Sequence, residues 1–187
     1  MSRQTGQDDV VALLVAQHEQ IRSLFQQVDK AAGSEVKRQR FEELRRLLAV
    51  HETAEELIVH PEARRAKGGS AVVDARIEEE RDAKELLVDL DAMRVTDEGF
   101  DDRLALLRQA VMDHASHEEH QEFPLLRQHT DQKTLARMAS AVRAAEAMAP
   151  THPHPGVESM TANLLLGPVA SLVDRTRDAV RAALGRD

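Results

Sequence analysis

The sequence predicts an all-α protein: an antiparallel up-and-down four-helix bundle made from a duplicated helical hairpin, with additional C-terminal helices. Three observations carry this expectation. An eleven-residue pattern occurs twice, as HETAEELIVHP from His51 to Pro61 and HASHEEHQEFP from His114 to Pro124, both reading HxxxEExxxxP and set 63 positions apart. The flanking segments repeat as well. The same shift pairs Phe41 with Leu104, Leu44 with Leu107 and Leu48 with Val111, and a shift of 62 pairs Val11 with Val73, Val15 with Ile77, Leu24 with Leu86, Phe25 with Leu87 and Val28 with Leu90. Self-similarity on this scale marks a repeated supersecondary unit. Third, apolar residues recur at three-and-four spacing through four long segments, and no alternating strand pattern appears between them.

The first helix is expected from Asp8 or Asp9, either of which can cap it, to about Lys30; its stripe is Val11, Leu14, His18, Ile21, Phe25 and Val28. Ala32-Gly33-Ser34 breaks it, and Glu35 opens a second helix with Phe41, Leu44, Leu48, His51, Glu55 and Ile58 on one face. After the break at Lys67-Gly68-Gly69-Ser70, a third helix runs from about Ala71 to Met93 with Val73, Ile77, Glu80, Ala83, Leu87 and Leu90 aligned. Thr96 or Asp97 is expected to cap the fourth, which continues to about Gln128 and aligns Leu104, Leu107, Val111, His114, Glu118 and Gln121. Pro61 and Pro124 are expected to end or kink helices two and four, because proline lacks a backbone donor and crowds the preceding turn.

A fifth helix is predicted over Gln132 to Met148, with Leu135, Met138, Val142 and Ala145 on one face. A Pro-rich linker follows at about 149–159. The last helix, after Gly167-Pro168, aligns Val169, Leu172, Val173, Thr176, Val180 and Leu184. The expected organisation is a metal-binding bundle over 8–128 and a C-terminal helical extension over 129–187.

Composition bounds the function. A chain of 187 residues with 42% hydrophobic content suits one domain with a sizeable core, and a formal charge of -8 argues against nucleic acid as a partner. No apolar run reaches transmembrane length and the N-terminus lacks a signal-peptide stretch, so no membrane association and a cytoplasmic location are expected. With no Cys, any metal must be held by nitrogen and oxygen.

Each apolar stripe is interrupted by ionisable residues. His and Glu four apart share a helix face, so His51 with Glu55 and His114 with Glu118 each aim an imidazole and a carboxylate the same way. His18 and Glu80 sit at corresponding depths on helices one and three. A lone core histidine is ordinarily just hydrogen-bonded, and a lone buried carboxylate costs several kcal/mol. Three histidines and three glutamates at matched depth, however, point to a dinuclear metal site in the bundle core. His117, one turn from His114, is a further candidate ligand or a solvated residue. His60 and His120 fall off the stripe by spacing, and Glu56 and Glu119 are read as flanking groups that orient ligand histidines or form surface pairs. His152 and His154 in the linker are read as a flexible segment rather than a site.

The paired motif resembles the hemerythrin-like HHE cation-binding family over about Asp8 to Gln128. The resemblance implies a four-helix bundle holding a non-haem di-iron centre, with two oxo-bridged iron ions held by His18, by His51 and Glu55, and by His114 and Glu118. Glu55 and Glu118 would then be bridging carboxylates. The chain departs from the family in helix three, where many members carry histidine and Glu80 stands here, and in having HxxxE where oxygen carriers have HxxxxD. The resulting three-carboxylate set favours the ferric state over the ferrous state that reversible oxygen carriage needs.

Six protein ligands leave coordination positions open for O2, nitric oxide or hydrogen peroxide. Catalase-like peroxide disproportionation, with a role in oxidative stress, is the favoured expectation. The alternatives are a non-catalytic O2, nitric oxide or iron sensor acting through the C-terminal helices, by a protein partner or homo-oligomer, and iron storage. The absence of Tyr and Trp removes phenolate ligands and radical relays, and the four phenylalanines are read as packing, with Phe25 and Phe41 shielding the site from water.

Overall fold

The computed structural model describes residues 9–148 and, beyond them, Asp178. Helix α1 spans Val10–Asp29, and of the two candidate caps it is Asp9 whose carboxylate accepts from the Ala12 N–H at 2.8 Å. Helix α2 spans Ser34–Ala54, passes through a π-helical turn at Glu55–Val59 and resumes as α3, His60–Ala63. Helix α4 covers Gly69–Asp91. Helix α5 covers Phe100–His117, passes through a second π turn at Glu118–Glu122 and resumes as α6, Phe123–His129. Helix α7 spans Gln132–Met148. No strand occurs among the described residues.

α1 packs along α2 and α4 along α5, the two hairpins of the repeat, while α3 meets α6 where the two motif copies end. The core has two apolar clusters. One gathers Ile21, Phe25, Phe41, Leu44, Leu87, Phe100 and Leu104. The other gathers Val10, Leu14, Ile58, Val73, Phe123 and Leu126 with Leu135, Met138 and Val142 of α7. His18 falls between Leu14 and Ile21 on α1, so a polar layer separates the two clusters. At about 1.5–3 kcal/mol for each fully buried large apolar side chain, these clusters bear the cost of that layer.

The predicted stripes of α1 and α2 are buried throughout. Three expectations need correction. The fourth long helix begins at Phe100 behind Gly99, which takes a left-handed φ of 83°, rather than behind Thr96 or Asp97. Asp97 instead closes a turn, accepting from the Arg94 N–H at 2.9 Å. On α4, Ile77 is 41% exposed, and Arg76 is the buried neighbour in its place. Neither proline ends its helix. Each sits in the first turn after a π turn, so the disturbance falls upstream, within the motif. The wide turn is closed by i→i+5 bonds, from the His60 N–H to the Glu55 carbonyl and from the Phe123 N–H to the Glu118 carbonyl.

The linker at 149–159, with His152 and His154, and the last predicted helix lie outside the described residues.

Candidate metal centre

All six sequence-predicted ligands, His18, His51, Glu55, Glu80, His114 and Glu118, are buried in the polar layer. They form two groups whose donor atoms lie within 4.8 Å of one another: His18, His51, Glu55 and Glu118 in one, Glu55, Glu80 and His114 in the other. Glu55 belongs to both. His18 Nε2 and His51 Nε2 face each other at 3.2 Å, and His18 Nε2 lies 3.2 Å from Glu118 Oε2. His51 Nε2 is 3.2 Å from Glu55 Oε1, and His114 Nε2 is 3.5 Å from Glu118 Oε2. Despite this proximity, both oxygens of Glu55, both oxygens of Glu118 and Nε2 of His114 make no hydrogen bond. Buried carboxylate oxygens without donors are costly, and a cation placed among them removes the cost. The residues present therefore fit a dinuclear metal centre.

The outer nitrogens of the same imidazoles are all engaged. His18 Nδ1 donates to Glu119 at 2.8 Å, His51 Nδ1 to Gln17 Oε1 at 2.7 Å and His114 Nδ1 to Glu79 at 3.2 Å. A proton held on Nδ1 leaves the Nε2 lone pair aimed inward, the tautomer a metal needs. Glu119 thus holds the His18 imidazole by its outer nitrogen, whereas its counterpart Glu56 is exposed. Gln17 and Glu79 escape the sequence reading, because nothing in their spacing separates them from other polar helix residues. His117 does not join either group; its Nδ1 donates to Glu79 at 2.9 Å and the side chain is 44% exposed.

The π turns explain two further omissions. In an α-helix successive side chains turn by about 100°, so His60, nine residues after His51, would face about 180° away. A wide turn sets everything beyond it back by about 100°. That brings His60 into the interior, and the same shift turns Gln121 out to solvent and Glu122 in, reversing the expectation for Gln121. His60 Nε2 donates to Glu80 Oε1 at 2.6 Å and Nδ1 to Glu122 Oε1 at 2.8 Å. Glu80 Oε2 in turn accepts from Lys84 at 3.3 Å, and the same ammonium lies 3.6 Å from Glu52.

Burial drives the electrostatics. It pulls the His51 imidazole down to about 3 and pushes Glu52 up to about 7. Glu55 is raised well above the carboxylate range by burial and then by the neighbouring charge of Glu118. Burial also opposes ionisation of Glu118, yet His114 and His18 beside it hold it down at about 2. Burial lowers His60 too, but bonds to Glu122 and Glu80 outweigh it and raise the imidazole to about 10.

Among the phenylalanines, the one that meets the centre is Phe123, whose ring stacks on His18 at 5.8 Å. Phe25 and Phe41 lie instead in the apolar cluster with Phe100, against which Phe41 packs edge-on at 5.2 Å.

The family model described as the Hemerythrin HHE cation binding domain matches residues 9–126. A protein of Schizosaccharomyces pombe described as an uncharacterized hemerythrin-like protein is 27% identical over 134 residues, 70% of this chain and 66% of that relative. The chain thus spans just under two thirds of that relative's length. The crystal structure of a Hemerythrin HHE cation binding domain-containing protein from Mycobacterium kansasii aligns with a TM-score of 0.64 at 20% identity, covering 89% of this chain and 98% of the other. At that identity the likeness is one of fold.

Proposed function

The chain belongs to the hemerythrin HHE cation-binding family, and from that premise we propose that it holds two iron ions in its bundle core and disproportionates hydrogen peroxide there. The observation that supports this most is the pair of donor groups sharing Glu55, with four buried carboxylate oxygens left without hydrogen bonds. His18, His51, Glu55 and Glu118 would hold one ion, and Glu55, Glu80 and His114 the other. Iron bound there supplies two-electron redox chemistry, so that one peroxide is oxidised to dioxygen while a second is reduced to water.

The protein's own part is positioning and exclusion. Glu119, Gln17 and Glu79 fix the ligand imidazoles, and the apolar clusters on either side keep bulk water out. A cavity of about 10 Å³ beside His18, His51 and His114 has room for about one water-sized molecule. Glu52 on its wall, raised to about 7, holds a carboxyl proton near neutrality next to that space.

A second reading, sensing, is favoured by one observation: the His51 imidazole donates to Gln17, and Gln17 donates to Glu146 of α7. Occupancy at His51 thereby has a route to the C-terminal helix and whatever that helix leads to. Oxygen release from peroxide by the iron-loaded chain, with and without residues 167–187, separates the two. Sustained turnover by both forms supports catalysis; no turnover, with partner binding lost on truncation, supports sensing.

A further inference from the structure

The three buried carboxylates of the centre are not equivalent. Glu55 and Glu118 present four oxygens with no hydrogen bond, while Glu80 has both oxygens tied, Oε1 to His60 at 2.6 Å and Oε2 to Lys84 at 3.3 Å. The position built on His18, His51, Glu55 and Glu118 therefore has its inward donors ready. In the position built on Glu55, Glu80 and His114, each Glu80 oxygen already accepts from a neighbouring donor, so a cation there meets a carboxylate whose charge is shared with Lys84 and His60.

We propose that the two metal positions load in sequence, the His18–His51 position first, and that Lys84 and His60, through their hold on Glu80, set the affinity of the second. This rests on the dinuclear reading above. Each tether has somewhere to go when Glu80 turns to a cation. The Lys84 ammonium has Glu52 at 3.6 Å, and His60 keeps Glu122 at 2.8 Å, so neither group is left buried and unpaired. Glu80 is thus a carboxylate with two bonded arrangements, outward to Lys84 and His60 or inward to a metal. The ammonium competes with the second cation, because both draw on the negative charge of the same carboxylate and both carry positive charge. A first ion that engages Glu55 also lowers the negative charge available to the second, which widens the gap between the steps. Sequential loading would let the chain carry one metal under scarcity and become a two-metal protein only above a threshold concentration.

Lys84 is the residue to change, since its side chain is 38% exposed and its ion pairs are with Glu80 and Glu52, neither of which belongs to the first position. The metal-free full-length protein is titrated anaerobically with cobalt(II), following heat and visible absorption. The expected wild-type result is two steps of one equivalent each, the first at least about tenfold tighter. Lys84→Met is expected to tighten the second step by about tenfold and leave the first unchanged, while Lys84→Arg keeps the wild-type gap. A single two-equivalent step, or a Lys84→Met titration with an unchanged second step or equal shifts in both, would overturn sequential control by Lys84 and leave the dinuclear reading standing. Uptake of one equivalent only, in every variant, would overturn both.

Discussion

At the scale of single residues, the centre is a set of charges that are unfavourable without metal and favourable with it. Glu55 is the sharpest case: buried, unpaired and pushed well above the usual carboxylate range by burial and by Glu118. Replacing it by Gln removes a carboxyl that burial makes costly to ionise, along with a shared ligand. Glu55→Gln is therefore expected to lower metal content while leaving the metal-free protein at least as stable as wild type at neutral pH. Equal losses of stability with and without metal would show that Glu55 is only a packing residue. His152→Ala serves as the control and should change neither quantity. His60 makes a separate prediction for the metal-free chain. Its folded value of about 10 exceeds the unfolded value of about 6.5, so the folded state binds more protons between them. The stability His60 contributes is complete below about pH 6.5 and is lost as pH rises through about 10. Denaturation of wild type and His60→Gln across that range should show the wild-type advantage shrinking; a constant difference would contradict the assignment.

At the scale of elements, the π turns decide which residues face the polar layer. The repeated motif, the helical pairs His51 with Glu55 and His114 with Glu118, and the stripes of α1 and α2 were legible because they lie upstream of the turns, where a period of 3.6 holds. Beyond each turn the same arithmetic fails by one residue. Gln121 was expected inside and Glu122 is found there, and His60 was set aside for a phase that the wide turn changes. The prolines marked the disturbance without giving its form. Ile77 on α4 departs from its expected place for a different reason: Arg76 is buried beside it through its bonds to Glu79 at 2.6 Å and Gln121 at 3.2 Å, which hydropathy alone does not register. The junction between α3 and α4 offers a test of packing rather than ligation. Gly68 takes a φ of 82°, and a Cβ at Gly69 would overlap the Ala63 carbonyl. Gly69→Ala is expected to cost about 1–3 kcal/mol, read as a lowered thermal midpoint. An unchanged midpoint would mean that α3 and α4 do not pack this closely.

At the scale of the whole molecule, two apolar clusters enclose one polar layer, and both motif copies contribute to both of its donor groups, Glu55 to each, Glu118 to one and His114 to the other. α7 joins one of the clusters through Leu135, Met138 and Val142, and touches the polar layer indirectly through Glu146 and Gln17. Gln17 thus links His51 in the polar layer to α7. The proposed function requires that this layer bind two metals. Metal analysis of the purified chain, with its ultraviolet-visible spectrum, tests that most directly. About two irons per chain with oxo-bridged ferric absorption, falling together when Glu55 is replaced by Gln, is the predicted result. A colourless chain that cannot be loaded beyond one metal, or iron content indifferent to Glu55, would contradict it.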